Sequence, residues 1–238
     1  MFDDVLIVKK IFRETPDVKT FVLNNENLIF IPGQYALVSL PDFPELENEE
    51  RPFTLACSPS NDYIIFSIKE MGIVTGAMHK RLVKGNRLRL RGPFGENLNL
   101  DLNAKKICLV AGGSGITPFK SFLDEIQTQK LGTKVKLFYS NRTKNDIIYK
   151  QYFASLEDPN IDIILTLTDE TVQGWNGETG RINKEMLIKH MPDYKEYLHY
   201  VCGPPPMISA IKSILKEMGI DEVQIRIEDW QLPGKHTD

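Results

Sequence analysis

The hydrophobic pattern changes character once, near residue 100, and that change restricts the chain to a narrow set of architectures. Before it, the apolar runs are short: Val5–Val8, Thr20–Leu23, Tyr35–Leu40, Tyr63–Ile68 and Leu88–Leu90. They are rich in β-branched and aromatic side chains, and several alternate in polarity, the period of a half-buried strand. Pro32-Gly33, Pro41-Asp42, Ser60-Asn61-Asp62, Lys84-Gly85-Asn86 and Gly92-Pro93 separate them with turn chemistry. About five or six strands and one helix near 76–83 predict a small antiparallel barrel.

After Lys106 the rhythm becomes strand, turn, helix. Ile107–Ala111 is a continuous apolar run, followed by strands at Val135–Tyr139, Ile161–Leu167, Tyr200–Cys202 and Val223–Ile227. Helices are expected at about 117–129, 146–156, 183–190 and 205–218. Continuous apolar strands alternating with helices predict a parallel sheet covered on both faces. The fold class is therefore β followed by α/β, with the boundary expected in Asn97–Lys105 and the units at 1–100 and 101–238.

Composition narrows the function. The 238 residues carry 29 Lys+Arg against 32 Asp+Glu, a net charge of −3, which argues against nucleic acid as partner. No apolar run approaches the ~20 residues that span a bilayer. Met1-Phe2-Asp3-Asp4 carries acid where a signal peptide carries base, so a soluble, cytoplasmic protein is expected. Cys57, Cys108 and Cys202 are too few and too scattered for a disulfide framework. The acidic stretch Glu45–Glu50 reads as a solvated loop.

Three motifs bear chemistry. Gly112-Gly113-Ser114-Gly115-Ile116-Thr117-Pro118 directly follows the first buried strand. Thr117 is expected to cap the next helix and Pro118 to open it, presenting free N–H groups and a positive dipole to a pyrophosphate. Without a ligand the same residues make a tight strand–helix turn. Cys202-Gly203-Pro204-Pro205-Pro206-Met207 follows a later strand, and in an open α/β sheet the two motifs line one crevice. In the barrel half stand Arg51-Pro52-Phe53-Thr54 and Lys69-Glu70-Met71-Gly72-Ile73-Val74-Thr75. Arg51 can clamp a phosphate, Phe53 can cover an aromatic ring, Thr54 can donate to a ring nitrogen, and Gly72 with Thr75 makes a second anion seat.

Together these motifs resemble the ferredoxin–NADP reductase superfamily, along essentially the whole chain and in family order. Arg51–Thr54 matches Arg-x-[Tyr/Phe]-[Ser/Thr], and Gly72–Thr75 matches Gly-x-x-[Ser/Thr]. Gly112–Pro118 matches Gly-Gly-x-Gly-Ile-Thr-Pro, and Cys202–Met207 matches Cys-Gly-Pro-Pro-x-Met. The resemblance implies a flavin-binding barrel, a nicotinamide-dinucleotide-binding α/β domain, and FAD with NADPH or NADH as cofactors. It assigns Arg51 to the flavin phosphates, with Pro52 beside it, Phe53 to the isoalloxazine and Thr54 to the neighbourhood of flavin N5. It runs the Ile68 and Lys69 backbone along the FAD and sets Gly72, Ile73, Val74 and Thr75 at its pyrophosphate. Gly112, Gly113, Ser114, Gly115, Ile116 and Thr117 would hold the second dinucleotide. Cys202, with Gly203 and Pro204, would stand beside the nicotinamide as a positioner, and Glu228 near the flavin with Trp230 beside it.

Departures from the pattern carry information. Phe53 replaces the commoner Tyr, removing a phenol that could bond the flavin. No Cys-x4-Cys-x2-Cys pattern occurs, so electrons are expected to leave for a separate acceptor, a protein or a small molecule. Tyr139-Ser140-Asn141-Arg142-Thr143-Lys144 follows the second parallel strand without a carboxylate; Ser140 and Arg142 there lean toward a 2′-phosphate, hence NADPH. Two alternatives stand beside this reading: a reductase of diffusible flavin, and a non-catalytic FAD-binding subunit.

Overall fold

The first strand turns a corner. In the computed structural model, which describes residues 1–25, 27–169 and 174–227, β1 spans Phe2–Thr15. Its first half pairs with β6 (Arg87–Phe94) and its second with β2 (Val18–Asn24), both antiparallel. A bulge between Val8 and Lys10 separates the halves, and such bulges bend a strand and increase its twist. Leu6 and Val8 point inward before it; Thr15 is buried after it.

The remaining barrel strands are β3 (Tyr35–Ser39), β4 (Arg51–Thr54) and β5 (Tyr63–Lys69), in the order β4-β3-β6-β1-β2-β5. The two end strands almost close the sheet, because the N–H of Ala56, just past β4, donates to Ile65 O of β5 at 2.9 Å. β4 lies at an edge, where Pro52 costs no ladder bond. Helix α1 (Ile73–Arg81) begins three residues earlier than expected. It plugs the barrel through Val74, Ala77 and Met78.

The second sheet is parallel throughout, in the order β10-β9-β8-β7-β11-β12. Its strands are β7 (Lys106–Gly112), β8 (Lys134–Asn141), β9 (Ile161–Leu167), β10 (Glu178–Thr179), β11 (Leu198–Cys202) and β12 (Ile225–Ile227). The helices are α2 (Thr117–Thr128), α3 (Lys150–Ala154), α4 (Lys184–His190) and α5 (Pro205–Glu217). Along β7, Ile107, Leu109 and Ala111 enter one core while Cys108 and Val110 enter the core on the opposite face. Burial on both faces is why this strand reads as an unbroken apolar run.

The helix expected over 146–156 is two pieces. A 3₁₀ turn at Lys144–Asp146 is closed by reciprocal bonds between Thr143 and Asp146, and α3 begins only after Tyr149, whose φ is +61°. The last strand is likewise shortened by a 3₁₀ turn at Glu222–Gln224. Leu98 and Leu100 pack with the parallel-sheet core, as do Val18 and Ala56 of the barrel, so the two halves share apolar contacts. Among the described residues no helix is long and apolar enough to cross a membrane.

Candidate functional site

Strand order places a crevice. β7 is flanked by β8 on one side and β11 on the other, so the chain leaves it in both directions and the loops part above the carboxyl ends of β7 and β11. Three glycines interlock there. A Cβ on Gly112 would fall 2.6 Å from Met207 Sδ, one on Gly115 would fall 2.3 Å from Cys202 O, and one on Gly203 would fall 3.1 Å from Gly112 N. The two motifs thus form one packed unit. Gly113 differs: its φ is +53° and a Cβ would meet nothing within 4 Å, leaving its backbone open to a ligand.

The helix starts at this crevice are unlike each other. Gly113–Ile116 forms a 3₁₀ turn, and Thr117 is the first residue of α2 rather than its cap. Its hydroxyl donates to Ser114 O at 3.0 Å, holding the turn from within. No acidic residue occupies the first turn of α2, so its dipole is unopposed toward an anion. The Thr117 N–H already donates to Ser114 O and Pro118 has no N–H, so the backbone left open to a ligand is that of Gly113. At α5, Pro204, Pro205 and Pro206 supply no N–H, and the N–H groups of Met207 and Ile208 both return to Pro204 O.

In the barrel, Arg51 lies half-exposed with Nη2 2.7 Å from Glu49 Oε2, while its Nη1 donates to Glu50 O at 2.8 Å. Phe53 leans on Phe66 with ring centroids 6.3 Å apart, and Thr54 is buried at the end of β4. On β5, Ile68 is buried, and Lys69 pairs with Asp17 at 2.9 Å. His79 Nε2 lies 2.7 Å from Ile68 O and ties α1 to this strand. Gly72 precedes α1 with φ +87° and open space around it, and no acid stands in the helix's first turn. The Thr75 hydroxyl accepts the Met71 N–H at 2.6 Å. Both glycine seats therefore offer a phosphate bare backbone and an adjacent helix start with no acid of its own in the first turn. At α1 the Glu70 carboxylate, which faces His79 and Lys80, lies 3.7 Å from a Cβ placed on Gly76.

The acidic loop is more than solvated chain. Glu45 pairs with Arg81, Glu49 with Arg51 and Glu50 with Arg91, while Leu46 is buried. The loop leaving β4 is fastened to α2: Ser121 Oγ donates to Cys57 O at 2.6 Å, and Ser58 Oγ donates to Glu125 Oε2 at 2.5 Å.

The family of FAD-binding domains matches residues 17–139, and the family of oxidoreductase NAD-binding domains matches residues 109–213. The first covers more than half of the chain. This chain belongs to the ferredoxin–NADP reductase superfamily. It is 31% identical over 224 residues to the glycine betaine monooxygenase reductase subunit of Chromohalobacter salexigens, covering 89% of this chain and 60% of the relative. The chain thus spans about three-fifths of the length of that relative. Among solved structures, the ferredoxin reductase in carbazole 1,9a-dioxygenase superposes with a TM-score of 0.82 at 24% identity, over 95% of this chain and 68% of that one. The Neisseria gonorrhoeae ferredoxin NADP+ reductase, with bound FAD and NADP, superposes with a TM-score of 0.77 at 18% identity, over 95% and 98%.

Within the superfamily frame, the candidate residues fall into two groups. Arg51, Pro52, Phe53, Thr54, Ile68, Lys69 and Gly72–Thr75 lie on β4, β5 and the start of α1, whereas Gly112–Thr117 and Cys202–Pro204 meet at the parallel-sheet crevice. Cys202 is 1% exposed. Ser140, at the end of β8, is half-buried. Arg142 is not the free base that its neighbours in sequence imply: Nε lies 2.7 Å from Asp169 Oδ2, a carboxylate just past β9. That guanidinium holds the Asp169 carboxyl below the usual carboxylate range. Asp169 was missed because it lies 27 residues from Arg142, although an acid at the end of a parallel strand is a recognisable signal. Glu228, Trp230 and the stretch 231–238 lie outside the described residues.

Proposed function

We propose that this chain is an FAD-dependent NAD(P)H oxidoreductase unit that hands electrons to a separate acceptor. The observation that carries the reading is the fastening of the β4 loop to α2 through Ser121 and Cys57 O. It ties the end of the Arg51–Thr54 strand to the helix that rises from the Gly113–Thr117 seat, so one body carries both cofactor sites. Held there, FAD would supply hydride acceptance from a reduced nicotinamide and one-electron release to the acceptor.

The chain supplies binding and orientation. Arg51, now paired with Glu49, would hold the flavin phosphates, and the open backbone at Gly72 would seat the pyrophosphate. Phe53 would support the isoalloxazine, and the Thr54 hydroxyl would be the donor on the N5 side. Gly113 and the start of α2 hold the phosphates of the second dinucleotide. Cys202, with Gly203 and Pro204, shapes the wall beside the nicotinamide and acts as a positioner, since hydride transfer needs no covalent intermediate. Holding two rings in register is worth several orders of magnitude in effective concentration.

The Asp169–Arg142 pair bears on the nicotinamide. A carboxylate here repels a 2′-phosphate and accepts a hydrogen bond from a 2′-hydroxyl, so the pair favours NADH, against the NADPH that Arg142 and Ser140 suggest in sequence. The acceptor is an oxygenase component, a ferredoxin-like carrier or a small molecule, and the net charge of −3 weighs against a nucleic-acid role. The test is a visible spectrum of the purified protein, then anaerobic titration with each nicotinamide. A flavin spectrum bleached by NADH at lower concentration than by NADPH is expected. A colourless protein that reduces added flavin would move the assignment to a reductase of diffusible flavin.

A further inference from the structure

Tyr149 breaks two local habits at once. It is a bulky, non-glycine residue at φ +61°, and it is 4% exposed between the two domains. A left-handed conformation at such a residue is costly and persists only where the surroundings hold it. Here the surroundings are barrel residues. The Tyr149 N–H donates to Glu14 Oε2 at 3.1 Å, and its phenol donates to Ser67 Oγ at 2.6 Å. Ser67 Oγ lies 2.6 Å from Thr20 Oγ1, which donates to Glu14 Oε1 at 2.9 Å.

These bonds close into a ring whose donors and acceptors can be assigned in one way, both arms leading from Tyr149 to Glu14. Because the Thr20 proton goes to Glu14, Ser67 must donate to Thr20 and Tyr149 to Ser67. Burial pushes the Tyr149 phenol well above its ordinary titration range, so it stays a donor. Glu14 then accepts from Thr20 and from the Tyr149 backbone, and the ring closes. Separating the domains would leave the Tyr149 N–H and hydroxyl without these partners, the expensive state for buried polar groups.

The ring also lies between the two proposed cofactor seats. Tyr139 OH donates to Gly113 O at 3.0 Å and accepts the Ile148 N–H at 3.3 Å. Ile148 precedes Tyr149, and Ser67 precedes Ile68 on β5. A continuous path of hydrogen bonds and short backbone steps thus runs from Gly113 to the strand assigned to the flavin.

We propose that Tyr149 is a positioning residue: with Glu14, Thr20 and Ser67 it latches the nicotinamide-binding domain to the barrel and fixes the separation of the two cofactor seats. The proposal rests on the oxidoreductase reading for its kinetic consequence but not for its structural one. The three native cysteines are buried, so spin labels can be placed on cysteines introduced at exposed Lys84 of the barrel and exposed Thr128 of α2. With parental Tyr149, a single narrow distance distribution is expected. Tyr149→Phe keeps the ring and the backbone donor but removes the hydroxyl, and it should broaden that distribution. Its FAD content and nicotinamide Kd should be unchanged, and the limiting rate of anaerobic flavin reduction should fall about ten-fold, the scale expected of a slight misplacement of reacting groups. Ser67→Ala should do the same, and the double variant should be no worse than either single one. An unbroadened distribution in both single variants overturns the latch, whatever the rate does. If neither nicotinamide reduces the parental flavin, the oxidoreductase reading fails, while the distance measurement still decides the latch.

Discussion

Gly115 sits directly beneath the carbonyl of Cys202, so close that a Cβ on Gly115 would lie 2.3 Å from that oxygen. Backbone cannot move aside cheaply, and overpacking of this kind costs about 1–3 kcal/mol. Gly115→Ala is therefore expected to lower unfolding stability by that amount and to weaken nicotinamide binding, with flavin content preserved. Gly113→Ala, where nothing lies within 4 Å, should lose about 1–2 kcal/mol from backbone strain alone. Urea unfolding and nicotinamide titration of the two variants distinguish packing from strain.

Arg51→Ala should release the flavin. Bonds to charged groups contribute about 1.5–3 kcal/mol each, so FAD affinity is expected to fall roughly 10- to 100-fold, read by fluorescence of flavin freed on gel filtration. Glu49→Gln removes the carboxylate that Arg51 holds at 2.7 Å and should tighten binding slightly. A parental FAD affinity in Arg51→Ala contradicts the phosphate role.

Asp169→Asn should shift nicotinamide preference. With the carboxylate neutralised, Arg142 becomes available to a 2′-phosphate, and the ratio of kcat/KM for NADPH to that for NADH should rise about ten-fold or more, the value of a modest charge-assisted bond. Steady-state kinetics with both dinucleotides measures it. No change in the ratio would remove Asp169 from the specificity site.

His199 makes a prediction about acid stability. It is fully buried on β11, its Nε2–H donates to Tyr194 O at 3.0 Å, and Nδ1 is buried without a partner. Burial pushes its titration down from 6.5 to about 4. Between these values the unfolded chain binds a proton that the folded chain does not, so the contribution is full above pH 6.5 and is lost as pH falls toward 4. The loss is about 1–2 kcal/mol by pH 5. His199→Gln should flatten the stability profile across this window; an unchanged slope in urea unfolding between pH 5 and 7 would falsify the assignment.

Much of this architecture is legible in residue order because its signals are local. Ile107–Ala111 announces a strand buried on both faces, and the glycines at 112, 113 and 115 announce a tight turn with a close neighbour. What stays hidden depends on partners distant in sequence. β4 escapes notice as an apolar run because it is four residues long and contains Pro52. The helix expected over 146–156 fails at Tyr149, whose backbone conformation is held by Glu14, 135 residues away. The partners of Arg51 and Arg142 divide along the same line: Glu49 is a neighbour, whereas Asp169 is brought in by sheet topology. Patterning reveals elements and seats; it does not reveal which charges are already engaged.

The three prolines at the start of α5 have a consequence for polarity. One mouth of the crevice presents the open backbone of Gly113 and a helix start without an acid, while at the other pyrrolidine rings and the Pro204 carbonyl remove the peptide donors. On the proposed reading, a long ligand carrying charge at its middle and a flat neutral head at one end can lie across the gap in one sense only, phosphates toward Gly113 and head toward Cys202. Directionality is thus written into the scaffold before any side chain makes contact.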